Sequence, residues 1–200
     1  MINDMTIASA ERLWESSVST ERTIADDYLR QLGASQNVNS VRFNIACQPT
    51  NFARGRKFPA ALFGFRNIRG DLLGVERHFL DPDTGEVLSR DYIGRSSFAY
   101  WFTARFDEPQ GFPFVGTMCV TQGIERALEL SNQTGCICGA VLDIPLLNDM
   151  TAPADIYEVC FDDENIESAL LAKIMLAFRG RAYVTSTISE RFSQEAPAVA

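Results

Sequence analysis

The chain has a single histidine and no cysteine pair at the spacing of a metal or redox motif. His78 alone cannot supply the two histidines of a Cys/His zinc finger. The five cysteines are scattered, and Cys136 and Cys138 are one residue closer together than the cysteines of a zinc knuckle or a CxxC redox pair. These absences argue against a structural zinc site. They indicate that the cysteines are reduced residues of the core.

Long apolar runs and a basic N-terminal segment are also missing. A membrane-spanning helix needs roughly 20 consecutive apolar residues, and no run in this chain approaches that length. The first residues include Asp4 and Glu11 rather than the basic residues of a secretory signal. We therefore expect a soluble, cytoplasmic protein without a membrane partner.

Lysine is scarce, with 2 Lys against 16 Arg, and the formal net charge is −8. A domain that grips the nucleic-acid backbone is normally basic on at least one face, so this acidity argues against tight, unaided DNA binding. A local basic cluster nevertheless exists: Arg54, Arg56, Lys57, Arg66 and Arg69. Arginine suits bidentate phosphate contacts, which makes Arg54, Arg56 and Lys57 candidate nucleic-acid-binding residues. The alternative, which we favour, is a solvated loop and hairpin surface.

Hydrophobic residues make up 46% of the 200 residues and include 14 Phe, which is enough for the packed core of one domain or two small ones. Helices are predicted over 7–16 and 20–32, the second with Thr20 as its N-cap and Gly33 as its stop. From Val41 to Gly94 the pattern alternates with a period of two between turn signals. Residues 1–110 are therefore predicted to form a helical hairpin and an antiparallel β-meander.

Strands and helices alternate after Pro113. The strongest helical pattern is the four-residue recurrence of Ile166, Leu170, Ile174 and Phe178. The other predicted elements are a strand over 113–122, a helix over 123–135, and strands over 136–144, 155–161 and 181–188. This order predicts a mostly parallel sheet flanked by helices, of the α/β class, over residues 111–190. Residues 191–200 are predicted to be a flexible tail.

Polar and acidic residues follow two of these predicted strands. Gln122 ends one strand, and Asp162-Asp163-Glu164 follows another. Ligands of open α/β sheets collect at such carboxyl ends. On local chemistry alone we favour a helix N-terminus, where acidic residues cap the backbone and face the positive end of the dipole. The alternative is a hard-cation site, in which Asp162 and Glu164 point toward one Mg²⁺.

The two strand ends together resemble the Toprim fold of bacterial-type primases, topoisomerases and related nucleases. Residues 120–130, VTQGIERALEL, are similar to the Val-x-Glu-Gly-Ile-Glu-Thr-Ala-Leu stretch of primase-like Toprim proteins of phages and plasmids. Residues 160–184 resemble the Asp-x-Asp strand end, helix and next strand of that group. Earlier motifs of the group precede them in the same order, so that the resemblance covers nearly the whole chain: Leu13-Trp14, Thr23 to Leu29, Arg42-Phe43 with Cys47, Gly74 to Arg77, and Leu80 to Asp83.

The resemblance implies a Toprim-like fold with a site for Mg²⁺ or Mn²⁺ held by Asp162 and Glu164, and catalytic positions at Gln122 and Asp162. Gln122 replaces the family's glutamate, and a neutral amide cannot serve as a general base. Glu164 replaces the second aspartate and is one methylene longer, which disturbs the tight octahedral geometry of Mg²⁺. The metal site is therefore expected to be weak or lost. Glu125 is either a partial substitute for the missing carboxylate or, as we favour, a partner of a nearby arginine.

Three functions remain open on this resemblance. The first is a primase-like enzyme of nucleic-acid replication or processing, with low or lost catalysis. The second is an inactive Toprim relic that binds a replication or defence protein as a regulator or inhibitor of a mobile element. The third is a nucleotide sensor. Gln122 and the acidic net charge count against strong catalysis.

Overall fold

The computed structural model describes residues 2–34, 40–50, 55–67, 69–97, 99–103, 116–134, 137–142, 156–161 and 182–184. The chain is a mixed α/β protein that divides into two compact units. Described residues up to Trp101 form the first unit, and those from Phe102 onward form the second. The predicted boundary at 110/111 and the predicted tail over 191–200 lie outside the described residues. No helix in the described ranges is long and apolar enough to cross a membrane.

The first unit contains two helices and a five-stranded sheet. In chain order these are α1 (Ile2–Glu15), β1 (Val18–Ser19), α2 (Ile24–Gln31), β2 (Val41–Cys47), β3 (Phe58–Arg66), β4 (Leu72–Leu80) and β5 (Val87–Gly94). The strands lie in the order β1-β2-β3-β4-β5, and every pairing is antiparallel. The predicted antiparallel meander is confirmed. The two-residue β1 was not predicted.

The second helix begins later than predicted, and its predicted N-cap is wrong. Thr23, not Thr20, precedes α2, with an extended backbone at φ −115°. Its hydroxyl donates backward to the Thr20 carbonyl at 2.6 Å instead of accepting from the helix. The predicted stop is confirmed, because Gly33 has φ +76° and the Ala34 amide donates to the Leu29 carbonyl.

One core of the first unit lies between α1 and one face of the sheet. Ala10 and Trp14 of the helix pack with Leu62, Val75 and Phe79 of the strands. These strand positions follow the two-residue period that places alternate side chains on one face. Burial of this apolar face holds the helix to the meander.

The position of His78 in the predicted meander indicates a residue on a hairpin surface, and this prediction is wrong, because the residue is completely buried. Its Nδ1 atom lies 2.7 Å from the Tyr28 hydroxyl, and its Nε2 atom lies 2.9 Å from a Glu76 carboxylate oxygen. The Phe63 ring packs beside the imidazole, with 4.6 Å between ring centroids. A buried polar side chain is tolerated where it has such partners. This cluster attaches α2 to the sheet face that carries His78.

Arg77 is a second buried polar residue of β4, with 4% of its side chain exposed. Its Nε and Nη2 atoms donate to the two carboxylate oxygens of Asp91 on the adjacent strand. Further donors reach the Gln48 carbonyl and the Thr50 hydroxyl at 2.9 and 2.8 Å. The guanidinium therefore ties the segment after β2 to β4 and β5.

The second unit contains a second five-stranded sheet and one described helix. Its elements are β6 (Trp101–Phe102), which begins at the junction of the units, β7 (Gly116–Gln122), α3 (Ile124–Thr134), β8 (Ile137–Val141), β9 (Ile156–Phe161) and β10 (Ala182–Val184). The strand order is β10-β9-β7-β8-β6. β7 pairs in parallel with β8 and β9, and β9 pairs in parallel with β10. The predicted helix that contains Ile166 to Phe178 lies outside the described residues.

Candidate functional site

The candidate site is the edge of the second sheet at which β7 and its two neighbours end. Val120 of β7 is level with Phe161, the last residue of β9. Gln122, the last residue of β7, is level with Val141 of β8. Since these strands are parallel, their carboxyl ends share one edge, where α/β sheets usually bind ligands. Asp162 follows Phe161 directly in the sequence, but Asp162 and Glu164 lie outside the described residues.

Gly123 makes the sharp turn from β7 into α3. Its φ of +87° lies in the left-handed region, which favours glycine. The Gly123 amide donates to the Val141 carbonyl at 3.1 Å, and its own carbonyl accepts from the Ala127 amide. Ile124 is completely buried directly after the turn. The Gln-Gly pair thus places Gln122 at the strand end and begins the helix within one residue.

Replacing Gly123 with alanine is expected to destabilise the protein by about 1 kcal/mol, because the left-handed conformation is strained for an L residue with a Cβ. A Cβ at this position would meet no atom within 4 Å, so the expected cost is conformational and not steric. Denaturant unfolding would measure it. Asparagine tolerates this conformation better, so Gly123→Asn should cost less. Equal stability of the wild type and the alanine variant would contradict this account of the turn.

The Gln122 side chain is exposed, and its amide nitrogen donates to the Leu142 carbonyl at the end of β8, over 3.4 Å. This distance is near the outer limit of a hydrogen bond, so the interaction contributes little to stability. A glutamate at this position could not make this bond, because a carboxylate cannot donate to a carbonyl. The amide oxygen could bind a cation through its dipole, but it has no negative charge, unlike a carboxylate oxygen.

Glu125 lies in the first turn of α3, where a negative charge is stabilised by the helix dipole. It is half-buried. The neighbouring Arg126 pairs with Glu129, with 2.7 Å between the charged atoms. Both earlier interpretations of Glu125 remain predictions.

Within the described ranges, no group of three or more histidine, cysteine, aspartate or glutamate side chains could hold a metal ion. The predicted ligands Asp162 and Glu164 are not in those ranges. The metal site is therefore still a prediction. Its candidate edge is marked by Gln122, which is the one residue of the predicted catalytic and metal set that lies in the described ranges.

The basic cluster of the sequence is divided between the two ends of β3. Arg56 and Lys57 are exposed directly before the strand, and the Arg56 guanidinium lies 4.8 Å from the centroid of the Phe58 ring. Arg66 is the last residue of the strand, and Arg69 follows in the next turn. Nine strand residues span about 26 Å, so the two groups do not form one patch. Arg54 lies outside the described residues.

The long-range contacts of Arg77 and His78 were missed by sequence reasoning. Arg77 and His78 stand side by side in the apolar run LLGVERHFL, whose alternation predicts opposite faces of one strand. The sequence does not show that other parts of the chain pack on both faces of this strand. Because both side chains are buried and bound to partners, we assign them to the stability of the first unit and not to the site.

Comparisons of the sequence with known families and proteins give one match. Residues 4–92 match a family model described as a domain of unknown function (DUF7146). A search of curated protein sequences finds no significant match.

Two solved structures are similar to almost the whole chain. The Aquifex aeolicus primase, represented by its zinc-binding and RNA polymerase domains, superposes with a TM-score of 0.54 at 11% identity. That alignment covers 95% of this chain and 59% of the Aquifex chain. The DnaG primase catalytic domain bound to ssDNA superposes with a TM-score of 0.52 at 15% identity, over 89% of this chain and 67% of that one. At these identities the likeness concerns the fold alone, and it shows that this chain has a primase-like fold.

Proposed function

We propose that this chain is a primase-like Toprim protein that acts in nucleic-acid replication or processing and has a weakened divalent-metal site. The observation that carries the proposal is the register of β7 and β9, which puts the strand end with Gln122 beside the strand end that leads into Asp162. The primase-domain fold supports it. In this proposal residues 111–190 are the Toprim domain, of the phage and plasmid group.

The proposed site has two carboxylates, Asp162 and Glu164, and the neutral amide of Gln122. Two carboxylates with water and substrate phosphate are a usual ligand set for Mg²⁺. The amide cannot accept a proton from an attacking hydroxyl group. Loss of one functional carboxylate usually lowers the rate of such a reaction by orders of magnitude. We therefore propose that the site binds Mg²⁺ or Mn²⁺ weakly and that catalysis is low or lost.

A second candidate function is an inactive relic that binds a replication or defence protein. The observation that favours it is the hydrogen bond from the Gln122 amide to the Leu142 carbonyl. This bond is weak, but it uses a donor that the family's glutamate does not have. A chain that has exchanged a catalytic carboxylate for a neutral amide fits a regulator better than an enzyme.

Manganese binding tests the proposed site. At Mn²⁺ concentrations about ten times the Kd, binding to the native state alone stabilises by about 1.4 kcal/mol, which corresponds to a rise in Tm of about 3–5 °C for a chain of this size. We expect this rise in the wild type and its loss in Asp162→Ala. The matched control is Asp83→Ala, which removes an exposed carboxylate from the first unit and should keep the rise. No rise in the wild type at millimolar Mn²⁺ would favour the relic.

A further inference from the structure

Trp14, near the end of α1, has a guanidinium group close to its ring from each of two different strands. The Arg42 Cζ atom lies 4.9 Å from the ring centroid, and the Arg66 Cζ atom lies 5.5 Å from it. The ring fits closely over Gly64, where a Cβ would come within 2.9 Å of two ring atoms. Trp14 itself is 6% exposed. The aromatic ring thus brings two positive charges into one small region of the first unit.

Within the described ranges, each arginine side chain has one hydrogen bond, which it donates to a backbone carbonyl. Arg42 donates from Nη1 to the Trp14 carbonyl at 2.7 Å, and Arg66 donates from Nη1 to the Gly70 carbonyl at 2.8 Å. A guanidinium has five N–H donors, so one bond leaves most of them unused. Both side chains belong to half-buried residues and are reachable from solvent. The backbone bonds fix the positions of the two groups without saturating them.

No carboxylate in the described part of the chain lies within ion-pair distance of Arg42 or Arg66. One row of side-by-side residues crosses strands β2 to β5 of the sheet. It consists of Arg42, Leu62, Arg77 and Asp91. Asp91 is the acidic residue of this row, and both of its oxygens are bound by Arg77. The positive charge of Arg42 therefore has no counter-charge within its own row.

The electrostatics of Arg66 agree with an uncompensated pair of charges. Burial lowers the pKa of Arg66 below its usual value, and the positive charge of Arg42 lowers it further. Asp71 acts in the opposite direction more weakly, and its carboxylate already accepts from the Asn67 amide at 2.8 Å. Side chains whose pKa is shifted by burial and by a neighbouring charge are enriched at functional sites.

A purely structural role explains only part of this arrangement. One donor from each arginine satisfies a carbonyl at the end of α1 or in the turn between β3 and β4. Such capping does not require both guanidinium groups to share one tryptophan ring. An anion between or beside the two groups would supply the missing negative charge.

We propose that Arg42 and Arg66, positioned by Trp14, form a binding site for phosphate groups. Planar guanidinium groups bind phosphate oxygens through paired N–H donors, and two of them match the charge of one phosphate group. The phosphate belongs either to a polynucleotide backbone or to a free nucleotide or inorganic phosphate. The site lies wholly in the first unit, so it does not depend on the metal site proposed at the end of β7.

Two probes test the site at low ionic strength: a fluorescently labelled oligothymidylate, followed by anisotropy, and inorganic tripolyphosphate as competitor. Arg66→Gln and Arg42→Gln each remove one guanidinium and its charge-assisted hydrogen bonds to phosphate. Each variant should bind the oligonucleotide about tenfold or more weakly than the wild type. Arg22→Gln is the matched control. It removes the same charge from a side chain that is 90% exposed, and its binding should stay within about twofold of wild type.

The competition identifies the source of the phosphate. Displacement of the oligonucleotide by equimolar tripolyphosphate supports a site for free phosphate or nucleotide. Resistance to the competitor, with binding that falls steeply as salt rises, supports a polynucleotide backbone. Binding of neither probe by the wild type overturns the proposal, as does binding by both glutamine variants that equals the control.

Folding is checked by circular dichroism, because both arginines also hold backbone carbonyls. If a glutamine variant does not fold, Arg42→Lys and Arg66→Lys take its place. Lysine keeps the charge but cannot form the paired contacts, so binding should weaken about threefold or more. Unchanged binding in both lysine variants overturns the proposal.

Discussion

Replacing Arg77 with methionine is expected to destabilise the first unit by about 3–5 kcal/mol, because the change leaves a buried carboxylate without its counter-charge. Asp91 is 12% exposed, and both of its oxygens accept from the Arg77 guanidinium. The variant also loses the bonds to the Gln48 carbonyl and the Thr50 hydroxyl. Most single domains have a total stability of about 5–15 kcal/mol, so this loss is a large fraction of it. Denaturant unfolding followed by far-UV circular dichroism measures the change.

Two further variants separate the ion pair from general effects of the substitution. Removing both charges, in Arg77→Met with Asp91→Leu, should cost less than Arg77→Met alone, since no unpaired charge remains buried. Arg69→Met removes an exposed arginine and should change stability by less than about 0.5 kcal/mol. If the double variant is less stable than Arg77→Met by a further several kcal/mol, the pair is not the dominant interaction at this position.

Restoring the family's acidic residues, with Gln122→Glu and Glu164→Asp together, is expected to raise Mg²⁺ affinity about tenfold or more. The change adds a negatively charged oxygen at the proposed site and shortens a ligand toward the geometry that Mg²⁺ prefers. The only described contact that it sacrifices is the 3.4 Å hydrogen bond to the Leu142 carbonyl. Isothermal titration with Mg²⁺ and with Mn²⁺ measures the affinity. The wild type should show little or no primer synthesis or nicking.

The matched control is Gln133→Glu, which adds the same charge to an exposed position on α3. Position 133 lies ten residues after Gly123, about 15 Å farther along the helix, and should leave Mg²⁺ affinity near that of the wild type. Equal affinity of the restored variant and this control would remove Gln122 from the site. Robust wild-type activity that survives both Gln122→Ala and Asp162→Ala would show that the chemistry occurs elsewhere.

The meander could be predicted from the sequence because its determinants are local. Alternating apolar residues give each strand, and the turn from Asp81 to Gly85 carries its own geometry. The Asp81 carboxylate accepts from the Asp83 and Thr84 amides, at 2.9 and 3.1 Å, which lowers its pKa. Gly85 supplies the positive φ of +75°. Such signals lie within a few residues of one another, and a sequence shows them directly.

The burial of His78 could not be predicted, because it depends on Tyr28, fifty positions earlier in the chain. The same is true of Arg42 and Arg66, whose meeting at Trp14 needs two strands and a helix to be in place. β6 has only two residues, too few for any periodic pattern. These features arise from contacts between segments that are distant in sequence.

The candidate site falls between these two cases. The sequence indicates Gln122 and Asp162 at strand ends, since polar residues follow buried apolar runs. The order of the motifs predicts that these two strand ends are neighbours, but it does not indicate that β7 lies directly between β8 and β9, because strand order depends on how the crossovers pack. The register between Val120 and Phe161 supplies that information. The described part of β9 ends at Phe161, the residue directly before Asp162.

The strand orders of the two sheets also affect how the chain acquires its structure. The pairings β2–β3, β3–β4 and β4–β5 join strands that are consecutive in the chain and separated by short connections. The chain between β7 and β9 contains α3 and β8, so these two strands can pair only after both have been synthesised. Closing this longer loop costs more entropy, which delays the pairing. During synthesis β5 is complete at Gly94, before β7 begins at Gly116. The first unit can therefore fold while the second is still emerging from the ribosome, and the edge of β7 that pairs with β9 stays exposed to aggregation until β9 has been synthesised.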